Sequence, residues 1–267
     1  MLHYFIGFRR AKVFGGCVVA ASLALGAPAQ ASVMVYDIVE GFGLNRPTSD
    51  GPGQTQPGND NWWYHTDDVS WWDASDDPND YDLLTHGRDG TGPNTNFAWT
   101  MDGSNTPAFR NADWDSRSSV AGTSVGDAIW AQVDWGSQLA IEWLADADGW
   151  VDVALSLAGR DAEEFEGNHV RLLHWDAAAG ESTLLDEAEV FNSDTPSNPK
   201  SLSAEDVAIS AGDSIIVHVN VAGGNLPSAG GHDGVFIQGD LTYIPEPGSL
   251  ALLGLGSLLM LRRRRHA

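Results

Sequence analysis

The sequence predicts an all-β protein, an antiparallel sandwich or barrel, on three observations. From Asp127 onward apolar residues recur with period two in short runs, turn-forming residues separate the runs, and no helical period of any length runs through that half. Period two with one apolar face marks a half-buried strand, because successive side chains point to opposite faces of a sheet.

At the amino end, the first 31 residues lack acidic groups, carry Arg9, Arg10 and Lys12, run apolar from Val13 to Leu25 and finish as Ala29-Gln30-Ala31. That order predicts a helical secretory signal peptide over 1–31, cut by signal peptidase at the Ala29-x-Ala31 site. Twin-arginine export through Arg9-Arg10 and a lipoprotein at Gly16-Cys17 are weaker rivals. The flanks of the arginine pair fit poorly, and too little apolar chain precedes Cys17.

Val33 to Ile38 is the first strand candidate. From about 41 to 124 the chain is rich in Gly, Asp, Asn, Pro and Trp, and periodicity is poor. A featureless loop of that length is unusual in a compact domain, and disordered segments are poor in aromatics. The segment is therefore read as irregular strands and long loops, packed by their tryptophans onto a single domain spanning 32–244.

Strands are expected at Leu139–Leu144, Trp150–Leu157, His169–Trp175, Leu184–Phe191, Ser214–Val221 and Val235–Ile244. In the second of these, Val151, Val153, Leu155 and Leu157 alternate with Asp152, Ala154 and Ser156. Asp148-Gly149, Ala179-Gly180, Gly212-Asp213, Gly223-Gly224-Asn225 and Asp233-Gly234 supply residues that tolerate the positive φ of turns.

The carboxyl end reads Pro245-Glu246-Pro247, an apolar run from Leu250 to Leu261, and Arg262 to Arg265. A helix over that run rises only about 18 Å at ~1.5 Å per residue, short of the ~30 Å hydrocarbon core. The arginines settle its role, since a basic flank stays cytoplasmic and holds the chain as a stop-transfer tail. Proline on both sides of Glu246 keeps the preceding segment extended and accessible to a processing enzyme.

The Pro245-Glu246-Pro247 triplet, short apolar helix and arginine cluster resemble the PEP-CTERM sorting signal of Gram-negative bacteria. The resemblance covers 245–267 and implies recognition by an exosortase in the inner membrane, cleavage near the triplet, and delivery to the cell surface or the exopolysaccharide matrix. The body of the chain resembles a jelly-roll domain of secreted proteins with this tail. It does so through Gln56 followed by Trp63-Tyr64, Ala140-Ile141-Glu142-Trp143 with Ala147-Asp148-Gly149, Gly167 with His169 to Leu173, and Val207 to Asp213 leading into Ile215-Ile216-Val217. The acidic stretch from about 73 to 124 departs from that pattern. This resemblance implies a jelly-roll β-sandwich and no assigned reaction.

Three of the 14 basic residues leave with the leader and four with the tail, which leaves seven against 37 acidic groups. Nucleic acid is excluded as a partner, because phosphate binding needs a basic surface. An anionic membrane face is disfavoured, so membrane contact is expected only through the terminal segments, while divalent cations and neutral glycans stay open. The single cysteine, Cys17, lies in the leader, so no disulfide staples the exported domain.

The pattern W-W-x-x-x-D-D occurs twice, from Trp62 and from Trp71. Trp62, Trp63, Trp71 and Trp72 are a candidate glycan platform beside Asp67, Asp68, Asp76 and Asp77. The plainer reading makes one indole of each pair core, since adjacent residues of an extended chain face opposite ways. A calcium site is expected at Asp37, Glu40 and Asp240, near the first and last strands, because calcium needs several oxygen ligands. No EF-hand spacing, H-E-x-x-H, G-x-S-x-G or Walker loop is present, and His169 and His174, five apart, face opposite sides of a strand. The chain is accordingly read as a non-catalytic exported protein. A calcium-stabilised carbohydrate-binding module is the alternative and a glycan hydrolase the third reading.

Overall fold

Alternating apolar side chains need a second apolar layer to cover them, and the chain supplies it with two antiparallel sheets. A computed structural model describes residues 32–45, 47, 56, 58–67, 82–84, 86–89, 97–100, 108–119, 126–133, 138–160, 167–221 and 234–246. The two terminal helices expected from the sequence lie outside these residues, and no described helix is long and apolar enough to cross a membrane.

In chain order the elements are β1 (Met34–Asp37), α1 (Ile38–Leu44), β2 (Trp62–Asp67), β3 (Asp82–Leu83), β4 (His86–Asp89), β5 (Phe97–Thr100), β6 (Ala108–Asp113), β7 (Ser118–Ser119) and β8 (Ala128–Gln132). They continue with β9 (Gln138–Leu144), β10 (Gly149–Gly159), β11 (Asn168–Asp176), β12 (Glu181–Val190), β13 (Lys200–Ile209), β14 (Ser214–Val221) and β15 (Gly234–Pro245). The larger sheet runs β13-β10-β15-β8-β6-β5-β4, with β1 on β15 and β7 on β6. The smaller sheet runs β12-β11-β14-β9-β2-β3.

The last strand organises the larger sheet. On one side β15 pairs with the full length of β10, from Gly149↔Pro245 to Gly159↔Val235. Its other side is shared between β8, at Gly234 to Ile237, and β1, at Asp240 to Tyr243. Gly239 between these two stretches has φ +135, and any Cβ there would collide with the Ala154 carbonyl oxygen. Only glycine fits that conformation and that approach.

The inner faces of both sheets form one apolar core, including Val151, Leu155, Leu241 and Tyr243 of the larger sheet and Ile141, Trp143, Leu172, Ile215 and Val217 of the smaller. The tryptophan-rich first half joins this core. Trp62 and Trp99 are buried in it, the Trp99 indole Nε1 donating to the Asn45 carbonyl at 2.7 Å, while Trp114 is buried in a smaller cluster with Ala128 and Phe236.

Two elements differ from expectation. The chain from Ile38 is a short helix, not the end of a strand. Asp37 caps it, with its Oδ1 accepting from Val39 N at 2.7 Å and Glu40 N at 2.8 Å, while Ile38, Val39 and Phe42 turn inward. The strand β13 was not expected at all. Its Glu205 and Asp206 together face the single Asp152, and Asp206 sits at φ 55. That bulge moves the buried positions from the Leu202/Ala204 parity to the Val207/Ile209 parity, which erases the period-two signal.

Candidate functional site

The sorting triplet starts inside the sheet. Ile244 is in register with Trp150 and Pro245 with Gly149, and the Glu246 N–H donates to the Asp148 carbonyl at 2.9 Å. The Tyr243 hydroxyl donates to the carbonyls of Ala147 at 2.7 Å and Asp148 at 3.2 Å. Burial, then Tyr36, Asp148, Asp146 and Glu246 in turn, push the Tyr243 pKa up, so the phenol stays a donor. Pro247 and the residues after it, like the expected cleavage-site residues Ala29 and Ala31, lie outside the described residues.

A second feature is a cleft of about 790 Å³ where α1 meets β15 and the approach to β8. Asp37, Glu40, Asp127, Ser156, Gln238 and Asp240 give it polar walls. Asp37 and Asp240 are direct register partners. Partial burial, and then the Asp37 charge, raise the Asp240 carboxyl above its ordinary value. The three residues expected to hold calcium therefore share one cleft. Among the described residues, however, no three His, Cys, Asp or Glu side chains are grouped closely enough to hold a metal ion.

The tandem tryptophans separate. Trp62 is core, packed beneath α1 so closely that a side chain at Gly41 would strike its ring, and it offers no face to a sugar. The platform expectation is corrected at that residue: in an extended strand one of two neighbours must face inward. Trp63 is half-buried on the other face, with its ring over Gly58, and Trp71 and Trp72 lie outside the described residues. Trp63 sits on the smaller sheet and the acidic cleft is built on the larger, so the structure does not join them into one site.

Sequence reasoning missed a polar row on the outer face of the smaller sheet. His65 Nε2 lies 2.9 Å from Glu142 Oε2, and the Ser214 hydroxyl donates to Glu142 Oε1 at 2.5 Å. Beside them Arg171 Nη2 donates to His218 Nδ1 at 3.1 Å. Burial pushes the Glu142 carboxyl up, but the hydrogen bond and charge of His65 and the Ser214 hydroxyl outweigh it, so the group ends below the usual range. The carboxylate stands between serine and histidine. The imidazole contacts the carboxylate and not the hydroxyl, and the trio ties β2, β9 and β14 together in register. The outward parity of Glu142, Ser214 and His218 was readable in the sequence; which strands would become neighbours was not.

The PEP-CTERM protein-sorting motif matches residues 244–265. It implies an exported protein, processed by an exosortase at the membrane. No curated protein matches the chain. Among solved structures the chain is similar to TmCBM61 in complex with β-1,4-galactotriose, at 17% identity and TM-score 0.34, over 52% of this chain and 84% of that one. It is also similar to the C-terminal CBM6 of LamC, a marine laminarinase from Zobellia galactanivorans, at 16% identity and TM-score 0.23, over 45% and 89%. A third is the K3 cleaved adhesin domain of Lys-gingipain from Porphyromonas gingivalis w83, at 10% identity and TM-score 0.26, over 47% and 79%. The ligands those names mention belong to those proteins.

Proposed function

We propose that this is a non-catalytic protein of the cell surface or exopolysaccharide matrix of a Gram-negative bacterium, a jelly-roll sandwich carried to its place by its tail. The observation that carries this reading is the sorting motif at 244–265, which begins within the last two residues of the last strand. Signal peptidase and exosortase are its partners during export, and the terminal segments are its contacts with the membrane. The acidic surface left after processing favours cations and neutral polysaccharide over nucleic acid. Deleting 247–267 leaves every described strand intact and removes the address. Fractionation should find the full chain retained at the surface and the truncated chain released; equal surface retention of both would reject the reading.

A second reading rests on the raised Asp240 carboxyl beside Asp37 in the acidic cleft. Two carboxylates that repel each other across a ladder are relieved by a divalent cation, and the hydroxyl and amide groups of Ser156 and Gln238 suit sugar hydroxyls. This is the calcium-stabilised carbohydrate-binding alternative, with Asp37 and Asp240 as its two carboxylate ligands, no third described acidic side chain being grouped with them, and Trp63 as the described remnant of the platform. Calcium should then raise the melting temperature of the Ser32–Glu246 unit by several degrees, and D240N should abolish the rise. An equal rise in D240N would place any bound calcium elsewhere.

A further inference from the structure

We propose that the turn from Ala145 to Gly149 is a clasp on the sorting motif, so that the processing enzyme must take Pro245 and Glu246 from a closed strand end. The inference rests on the sorting reading above and adds a control step to it.

Sequence alone makes the triplet extended and accessible. In the structure it is extended, because it ends β15, and for the same reason its backbone is engaged. The matched motif begins at residue 244, one residue before the last residue of that strand, so no flexible linker separates sheet from motif. The Asp148 carbonyl accepts from the Glu246 N–H and from the Tyr243 hydroxyl. The fit is close: a Cβ on Gly149 would stand 2.5 Å from the Ile244 carbonyl oxygen and 3.1 Å from Pro245 Cα.

The turn is itself braced against the neighbouring loop. Ala145 N donates to the Asp213 carbonyl at 2.9 Å, Gly212 N to the Ala145 carbonyl at 2.8 Å, and Ala211 N to Asp148 Oδ1 at 2.9 Å. A braced turn does not follow the strand end when that end lifts, so release breaks the clasp contacts.

The clasp can nevertheless open alone. The β1 ladder reaches only Tyr243, so beyond it β15 is paired, among the described residues, on a single side, by β10. Pro245 has no N–H to give the ladder. Ile244 to Glu246 can therefore peel away while the β1, β8 and remaining β10 pairings stay closed. Such an end is a local opening unit of low stability.

Peptide-binding enzymes commonly take substrate as an added strand, pairing its backbone N–H and C=O groups themselves. Here the Glu246 N–H already has a partner. The enzyme meets an available motif only in the open fraction, which lowers its apparent affinity by that fraction.

The test uses the full chain in the producing bacterium, followed by pulse-chase of tail processing. A second form carries Gly-Ser-Gly-Ser inserted between Ile244 and Pro245, which moves the intact triplet beyond the turn; G149A is a third and E246A a fourth. The insertion and G149A should speed processing by about three- to tenfold, the gain that removal of the closed state gives when roughly a tenth to a third of the strand ends are open. Unchanged or slower processing in the insertion form overturns the clasp, whether or not G149A folds. Hydrogen exchange at the Glu246 amide of the full chain in detergent gives an independent reading. Slowing of about tenfold or more against a free peptide of the same residues is expected, and its loss on insertion. An unprotected amide overturns the clasp. If E246A is processed like the unaltered chain, the sorting reading falls, while the exchange result still decides whether the turn holds the strand end.

Discussion

Replacing Trp143 with alanine is expected to destabilise the sandwich by about 3–5 kcal/mol, the range for deleting a large aromatic from a packed core. Trp143 is fully buried one residue before the end of β9, where its indole lies 5.3 Å from both the Tyr36 and the Tyr243 rings. It thereby ties the smaller sheet to the first and last strands of the larger one. Removal leaves a cavity at the contact of three strands from two sheets, and braced ladders on both sides limit collapse into it. The conservative variant separates packing from hydrogen bonding. The indole Nε1 is buried with no acceptor among the described residues, so W143F gives up ring volume and aromatic contact but also removes an unsatisfied donor. The loss in W143F should therefore be less than half that in W143A. Guanidinium unfolding of the Ser32–Glu246 unit, read as a shift in midpoint at unchanged slope, measures both. Equal losses would mean that the ring edge with the N–H, not the ring volume, holds the core.

Much of the fold was legible because most strands keep an unbroken parity. The run Ser214–Val221 is a strand over the residues its alternation marks, and Trp150–Leu157 is extended only by two residues at each end or fewer. Parity fails as a signal wherever a bulge changes it, and β13 was invisible for that reason. The helix α1 had a readable start in Asp37 followed three residues later by Glu40, an acidic version of the capping box, but seven residues are too few to show a helical period. The candidate sites were legible by residue and illegible by neighbourhood. Asp37 could be named as lying near the first strand and Asp240 as lying in the last. Their pairing depends on a register set by more than 200 intervening residues. The polar row on the smaller sheet draws His65, Glu142, Arg171, Ser214 and His218 from four strands, and only topology brings them together.

That row should make the protein sensitive to mild acid through His218. Burial first, then the Arg171 guanidinium, then His169, lowers the folded pKa of His218 from 6.5 to about 3. The arginine donates to Nδ1, so the neutral ring carries its proton on Nε2. The unfolded chain titrates this group at its ordinary value. Between pH 6.5 and about 3 the unfolded state therefore binds a proton that the folded state refuses, and stability must fall as pH falls through that window. The slope approaches about 1.4 kcal/mol per pH unit, for a total on the order of 5 kcal/mol across the whole window. Above pH 6.5 the contribution is complete and flat. Glu142 adds a loss at the acid end, since a carboxyl whose folded pKa lies below its usual value stabilises the fold only while ionised. The substitution H218N keeps an oxygen acceptor near the Nδ1 position for Arg171 and removes the titration. Unfolding free energies measured from pH 7.5 to 4 should fall steeply in the unaltered protein. In H218N they should stay nearly level until the carboxylates protonate. A slope unchanged by H218N would assign the acid sensitivity to the carboxylates alone and leave the His218–Arg171 contact as packing on the outer face of the sheet.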